Sequence, residues 1–428
     1  MSRPLQVVEL ATNDTLGGAA RSAYRLHVGL RELGVEARML ARWKHSDDPT
    51  VQAYEPNHID QERIAVDRPT RQRWVTDNRT DRTDTLFSLG QLSLDVTHHP
   101  LVRSADVIHL HWVANFLGPA SFDALVALDR PIVWTLHDEW AYTGGCHYAA
   151  GCDGYRHGCA RCPQLFEDPL RLVERLFAER LAAWQGAPLT VVTPSRWLAS
   201  CAGSSAILRG HDVRVIPYGL DTSVFTPPSA EARRIFRVRH GIPRERFVLA
   251  FGVDRLAERR KGHEHLVEAL AIARERLGDV HLLRFGDPTG APTIDLPTTD
   301  LGRIDDDDAL ALAYGSADAF VLPTLEDNLP NGVLESLASG TPVLGYATGG
   351  VPDLVEEGIT GWLAPTGDVQ ALAAKLVEAT ADIEAARRMG VNGRIAALQR
   401  HTLRAQAGSY RALYEELLGG AASWEAVA

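Results

Sequence analysis

Nowhere in this 428-residue chain does an uninterrupted apolar run approach the roughly 18 to 20 residues that a membrane-spanning helix needs. A transmembrane segment is therefore not expected. Positive charge is also short. The 44 lysines and arginines face 55 acids, and a net charge of −11 argues against nucleic acid or an anionic membrane as the main partner. It still leaves room for peripheral membrane contact through a local patch. The opening residues, MSRPLQVVELATND, carry one Arg, a short apolar strand and no small-residue cleavage site, so no secretory signal is expected. Together these lacks predict a cytoplasmic protein. Between Arg68 and Arg82 the arginines interleave with Asp67, Asp77, Asp81 and Asp84, which predicts a solvated loop rather than a basic binding face.

Cysteine is scarce too, five in all, but Cys146, Cys152, Cys159 and Cys162 crowd into one Gly-rich loop, 144–163, and end in a C-x₂-C knuckle. In a reducing compartment four such thiols suit a structural Zn²⁺; disulfides or unliganded thiols are the alternatives. Such a loop has little core of its own, and a metal would order it. Cys201 reads as a small buried residue.

What is present is an ordinary globular composition, 45% apolar and 23% charged, at a length that exceeds one hydrophobic core. Short apolar runs alternate with helical patterns throughout, the signature of parallel βαβ units. The spacing predicts two doubly wound α/β domains, 1–218 and 219–402, with the Pro- and Gly-punctuated VIPYGLDTSVFTPP at their junction and a last helix in 403–428.

The richest segment runs from Pro323 to Gly350, PTLEDNLPNGVLESLASGTPVLGYATGG. An apolar strand precedes it, and Pro330 stands where a helix would begin. Val333, Leu334, Leu337 and Ala338 share one apolar face, Gly340 ends the helix, and TPVLGY restarts as a buried strand before Gly349-Gly350. In parallel sheets such loops gather at the carboxyl ends of strands, where ligands bind.

This segment resembles the donor-site signature of retaining GT-B glycosyltransferases of family 4: two acids separated by seven residues, here Asp327 and Glu335, then A-x-G-x-P-V, then GGVPD with Asp353 in place of Glu. TLGGAARSAYRLHVGL, DVIHLHWV, TLHDEWAYTGGC, FGVDRLAERRKG and LGRIDDDDALALAYGSADAFVLP resemble family segments in the same order. The resemblance implies a GT-B architecture: two Rossmann-like domains facing a cleft, the first on the acceptor side and the second holding the nucleotide sugar, with the C-terminal helix crossing back to the first.

It further implies a retaining transferase of the hexosyl or N-acetylhexosaminyl class, acting in polysaccharide or natural-product glycoside biosynthesis. A UDP- or GDP-linked sugar would be the donor, a sugar-containing molecule the acceptor, and the donor phosphate the base on the front face, with no cofactor for catalysis. Arg255 and Lys261 would meet the diphosphate, a fork and a point charge. Asp327 would face the donor sugar and Glu335 the ribose. The amides of Asn328 and Leu329 would meet phosphate or sugar, Gly349 and Gly350 would close the pocket, and Arg303 would approach the nucleobase. His137 would orient the sugar, with Asp138, Glu139 and Trp140 on the acceptor side. Gly17 and Gly18, ahead of the first helix and directly after the first strand, read as donor-binding, a place where phosphate approaches backbone amides, with a tight turn as the alternative. The Asp-x-Asp metal loop of the other transferase fold is not expected, since Asp305–Asp308 opens a helix. A GT-B phosphorylase or sugar-phosphate synthase, and a non-catalytic sugar or nucleotide binding protein, are the competing functions.

Overall fold

The computed structural model describes residues 3–89 and 93–419. The chain forms two units, Met1–Gly219 joined by Leu403–Ala428, and Leu220–Thr402.

The first unit is built on seven parallel strands: β1 (Gln6–Asn13), β2 (Glu36–Trp43), β3 (Val51–Ala53), β4 (Val107–Leu110), β5 (Ile132–Thr135), β6 (Leu189–Thr193) and β7 (Asp212–Val215). Their order is β3-β2-β1-β4-β5-β6-β7, so the chain winds outward from β1, then returns to lay β4 on its other side. Val7 pairs with Ala37 on one flank and Val107 on the other. Both faces of the central strands are buried. Leu10, Ile108, Leu110 and Trp134 pack on one side with Phe122 and Trp184, and Val7, Val107, Val133 and Val192 pack on the other with Leu26 and Leu30. That two-sided burial is why these strands read as continuous apolar runs rather than alternating ones.

The helix Leu403–Leu417 belongs to this unit, as the last helix was expected to. Ala407, Tyr410, Leu413 and Tyr414 join the core with Leu26 and Leu30. Gly29 makes the close approach feasible, since a Cβ there would stand 3.0 Å from the Leu403 carbonyl. Glu416 closes a two-pronged pair with Arg214 at 2.6 and 2.7 Å.

The second unit holds six parallel strands: β8 (Phe247–Arg255), β9 (Val280–Asp287), β10 (Thr298–Asp300), β11 (Ala319–Leu322), β12 (Val343–Tyr346) and β13 (Gly361–Ala364). The order β10-β9-β8-β11-β12-β13 reverses between β8 and β11. Just ahead of β11, the buried Asp318 carboxylate accepts from the Val248 amide and from Arg237, both at 2.8 Å, and also pairs with Arg233.

One expectation needs correction. Most of the Arg-rich stretch is a helix, His58–Asp77, whose N-cap Asn57 accepts from the Asp60 amide at 2.9 Å. Its residues alternate too irregularly in polarity to announce a helix from sequence. Asp306, by contrast, caps the helix Asp307–Gly315 through the Ala309 amide, so the acidic run opens a helix as expected. No helix among the described residues is long and apolar enough to cross a membrane.

Leu413 is fully buried against the first unit's core. Leu413→Ala should lower stability by about 2 to 5 kcal/mol. Hydrogen exchange should place the loss in β1, β4, β5 and β6 and spare β8, β11 and β12. Unchanged protection in the first sheet would show that the helix is not part of its core.

Candidate active site

In an open parallel sheet the strand order reverses at a crevice that no crossover covers, and ligands bind beyond the carboxyl ends of the flanking strands. In the second unit those strands are β8 and β11, and the motif-bearing loops follow them directly. Past β8 come a 3₁₀ turn, Arg259–Lys261, and the helix His263–Ala273. After β11 a loop leads to the helix Asn331–Ala338, with Pro330 one position earlier than expected, as its N-cap.

Two glycines fasten these loops by steric necessity. Gly262 has φ 74°, and a Cβ there would fall 1.9 Å from the Pro323 carbonyl oxygen; Gly349 has φ 53°, and its Cβ would fall 1.8 Å from the Asp327 carbonyl oxygen. Neither position admits a side chain while the loop stays in place. Hydrogen bonds complete the stitching: the Leu325 amide to the Arg260 carbonyl at 2.8 Å, the Thr348 hydroxyl to the Leu325 carbonyl at 3.0 Å, and the Gly350 amide to the Asp327 carbonyl at 3.1 Å.

The charges converge on Asp327. Lys261 Nζ lies 2.5 Å from its Oδ2 and Arg260 Nη1 lies 3.2 Å from the same oxygen, while Arg260 also holds Glu258 at 2.8 Å. Burial alone would raise the Asp327 pKa, but Lys261 and then Arg260 outweigh it and hold the carboxyl below its ordinary range. Asp327, expected to face the donor sugar, is thus the counter-ion of Lys261. Arg260, not named among the expected diphosphate cations, shares that oxygen. Arg255 ends β8 exposed, in register with Asp287 on β9. Only the turn geometry separates these arginines, and spacing alone does not reveal it.

Asn328 and Leu329 are buried just before the helix Asn331–Ala338. The first N–H groups of any helix lack intrahelical partners and favour an anion. Glu335 is buried on that helix with the Tyr314 hydroxyl 3.4 Å from its Oε2. Arg303 is exposed and pairs with Asp305 at 2.7 Å.

In the first unit the reversal lies between β1 and β4. Beyond β1, Asp14 accepts from the amides of Thr15, His45 and Ser46 at 2.8 to 2.9 Å, and Gly17, at φ 93°, caps the helix Gly18–Glu32. A Cβ at Gly17 would meet nothing within 4 Å, so the turn needs glycine for its backbone angle and the space above it is open.

Here the sequence concealed a network. Glu9 on β1 is wholly buried and binds His27; His111 Nε2, past β4, lies 3.4 Å from Glu9 Oε1. His111 Nδ1 meets His137 Nε2 at 3.2 Å, and His137 Nδ1 meets the Tyr218 hydroxyl at 2.7 Å. Burial pushes the pKa of His111 down to about 3 and that of His137 to about 4, so each neutral ring holds one proton. With His111 giving its Nε2 proton towards Glu9, its Nδ1 accepts from His137 Nε2, and His137 Nδ1 accepts from Tyr218. Such a ring is oriented rather than nucleophilic. The available signal was DVIHLHWV, two histidines in an otherwise apolar strand.

Asp138 lies beside this chain. Its Oδ2 accepts from Trp112 Nε1 and His147 Nδ1, both at 2.6 Å, and its Oδ1 accepts from the Trp140 amide at 2.9 Å. Glu139 and Trp140, expected on the acceptor side, are instead buried. Glu139 accepts from the Ala149 amide at 2.6 Å and the Tyr142 hydroxyl at 3.1 Å, and Trp140 Nε1 donates to the Ser88 carbonyl at 3.0 Å. Their polar atoms anchor the cysteine loop. Cys201 is only half-buried, not enclosed as expected.

Residues 16–224 match the family described as Glycosyltransferase Family 4, and residues 246–382 match that described as Glycosyl transferases group 1. A glycosyl transferase assigned to colanic acid biosynthesis in Escherichia coli, WcaC, is 25% identical over 356 residues, 77% of this chain and 80% of that protein. A GDP-mannose-dependent alpha-(1-6)-phosphatidylinositol monomannoside mannosyltransferase of Mycolicibacterium smegmatis is 33% identical over 218 residues. That match takes in 47% of this chain and 54% of the mannosyltransferase, about half its length. HepE of Anabaena, solved in complex with UDP-glucose, superposes with a TM-score of 0.63 at 15% identity, covering 96% of this chain and 100% of that one. The shared fold is GT-B.

Two measurements test this geometry. Gly349→Ala should dislodge the loop around Asp327, lowering the second unit's thermal midpoint; an unmoved midpoint would show the contact is not tight. Separately, the buried histidines set a pH window. His109 and His111 are held at about 3 and His137 at about 4, against an ordinary 6.5, chiefly by burial. Below about 6.5 the unfolded chain binds protons that the folded one refuses, so stability should fall as pH drops from about 6.5 towards 4. Glu9 is depressed from 4.5 despite its burial, first by His27; its contribution is present above 4.5 and lost only below it. His109→Gln should flatten the slope, and a wild-type profile already flat across that window would overturn the assignment.

Proposed function

The chain belongs to the glycosyltransferases of family 4 and group 1, and from that premise we propose that it moves a sugar from a nucleoside-diphosphate sugar to an acceptor hydroxyl with retention of anomeric configuration. The observation that carries this reading is the pair of cations, Lys261 and Arg260, fixed at the β8/β11 reversal beside the start of the helix Asn331–Ala338. A leaving diphosphate brings two to three negative charges and gains more as its bond breaks. Prepositioned cations and amide dipoles stabilise that charge without reorganising. The nucleotide sugars named for HepE and for the mycobacterial mannosyltransferase support a UDP- or GDP-linked donor.

In the reaction the bond between the anomeric carbon and the donor phosphate oxygen breaks, and the acceptor oxygen bonds that carbon on the same face. The acceptor proton passes to an oxygen of the departing diphosphate. Lys261, with Arg260 and Arg255, would neutralise the diphosphate. Glu335 would accept from the ribose hydroxyls, Asn328 and Leu329 would offer amides, and Gly349 and Gly350 would keep the pocket wall thin. His137, neutral and fixed by His111 and Tyr218, would orient the sugar.

Incubating the protein with UDP- and GDP-sugars should release nucleoside diphosphate by slow hydrolysis. A binding protein would release none, and a phosphorylase would require inorganic phosphate. Lys261→Ala should lower turnover by about 10² to 10³, with Lys261→Arg less affected. Wild-type rates in Lys261→Ala would remove the diphosphate role. Glu335→Ala should weaken nucleoside diphosphate binding by about 1.5 to 3 kcal/mol. Undiminished affinity with lost turnover would give Glu335 another task.

A further inference from the structure

Four of the five cysteines line one small cavity in the first unit. Cys146, Cys152, Cys159 and Cys162 surround it with Phe87 and Val173, and it encloses about 20 Å³. That is room for a single water or ion. All four are unpaired thiols, and the fifth cysteine, Cys201, lies elsewhere, on the helix Arg196–Ser204.

The sulfurs are surrounded by donors. The Gly154 amide reaches Cys152 Sγ at 3.3 Å. The amides of Gly144 and Gln164 bond Cys159 and Cys162, and the Thr143 hydroxyl donates to the Cys146 carbonyl at 2.7 Å. In Cys152 and Cys162 the donor is the amide two residues on, a turn that wraps peptide N–H groups around the sulfur. Such donors are the usual outer support of metal-bound sulfurs. Gly154 is wedged beside two of them, since a Cβ there would stand 3.3 Å from Cys152 Sγ and 3.8 Å from Cys159 Sγ. The backbone is also held in unusual conformations, with φ 50° at Ala150 and 53° at Cys159.

A second observation is independent of the thiols. Arg180 is 1% exposed, its Nη1 donates to the carbonyls of Trp140 and Thr143, and its guanidinium lies 4.1 Å from the Trp140 ring centre. Its Nη2 has no hydrogen-bond partner among the described residues. Arg79, with an unpartnered Nε, flanks the same loop, and the two cations interact electrostatically with Cys146, Cys159 and Cys162. Arg180 is buried and Arg79 half-buried beside the sulfurs, and Asp138 and Asp84 also act on these cations. Four thiolates around a divalent ion carry −2, a charge that adjoining guanidinium groups stabilise.

We propose that Cys146, Cys152, Cys159 and Cys162 form a structural four-thiolate Zn²⁺ site flanked by Arg79 and Arg180. The set of three or more candidate ligand atoms lying within 4.8 Å of one another among the described residues is Glu9, His109 and His111, so the sulfurs are more widely spaced than in a filled tetrahedron and an ion would draw them together. The histidine set does not compete for metal. Both His109 nitrogens are engaged, by Thr135 and Tyr414 at 2.7 Å. The metal loop also fixes groups beside His137: the His147 carbonyl accepts from the Glu139 amide at 3.0 Å, and the His147 ring holds Asp138. The ion would therefore order this surface while taking no part in bond breaking.

The test is metal content and coordination in the full-length protein purified under reducing conditions with zinc in the growth medium, independent of any transferase activity. Elemental analysis should give close to one zinc per chain, and X-ray absorption should show four sulfurs at about 2.3 Å. Cys201→Ser should keep the metal and Cys162→Ser should lose it. Should Cys162→Ser not fold, thiol titration of the wild type decides instead: one cysteine should react at once and four only after a chelator is added. Zinc-free protein with five equally reactive thiols, nitrogen or oxygen ligands in the absorption spectrum, or two disulfides under reducing conditions would each overturn the site.

Discussion

A parallel sheet whose winding reverses must leave a gap at the carboxyl ends of the two strands flanking the reversal, because the crossovers on either side carry the chain away from it. Both units are built on this constraint, at β1/β4 and at β8/β11. Glu9, Asp14, Gly17 and His111 cluster within a few positions of the first reversal; Lys261, Asp327 and the start of the helix Asn331–Ala338 cluster at the second. The outer strands and the helices that cover both faces hold those strand ends in register. This is why Leu413, on the last helix, contributes to a core whose working edge is formed by β1 and β4.

Where backbone geometry dictated residue type, the sequence was readable. Gly262 and Gly349 are glycines because a carbonyl oxygen occupies the place of a Cβ, and the spacing of the segment from Pro323 to Gly350 follows from the strand, loop and helix it must form. Side-chain partnership was less legible. Arg255, Arg259 and Arg260 are equivalent on paper, and a three-residue 3₁₀ turn selects which of them reaches Asp327. Glu139 and Trp140 follow Asp138 immediately, yet their chain turns inward, so adjacency in sequence did not predict a shared face. The Glu9–His111–His137–Tyr218 chain joins residues far apart in sequence, and only the parallel register of β1, β4 and β5 brings them into line.

The interior tolerates ionised groups only with partners at hand. Glu9 has His27, Asp138 has His147, Asp318 has Arg233 and Arg237, and Asp327 has Lys261 and Arg260. Such pairs add little net stability over apolar packing, because desolvation offsets most of their attraction. They do fix geometry, since breaking one leaves a buried charge without compensation.

The Lys261–Asp327 contact makes the cation a guarded one. Any anion arriving at Lys261 competes with a carboxylate already seated 2.5 Å away and held there by the fold. A singly charged anion offers no more than Asp327 offers already, whereas a diphosphate brings enough charge to engage Lys261 and Arg260 together. On the proposed reading, the resting ion pair acts as a threshold set by valence: chloride and simple carboxylates gain no foothold, and the strength of the site emerges only for the ligand whose departure it must assist.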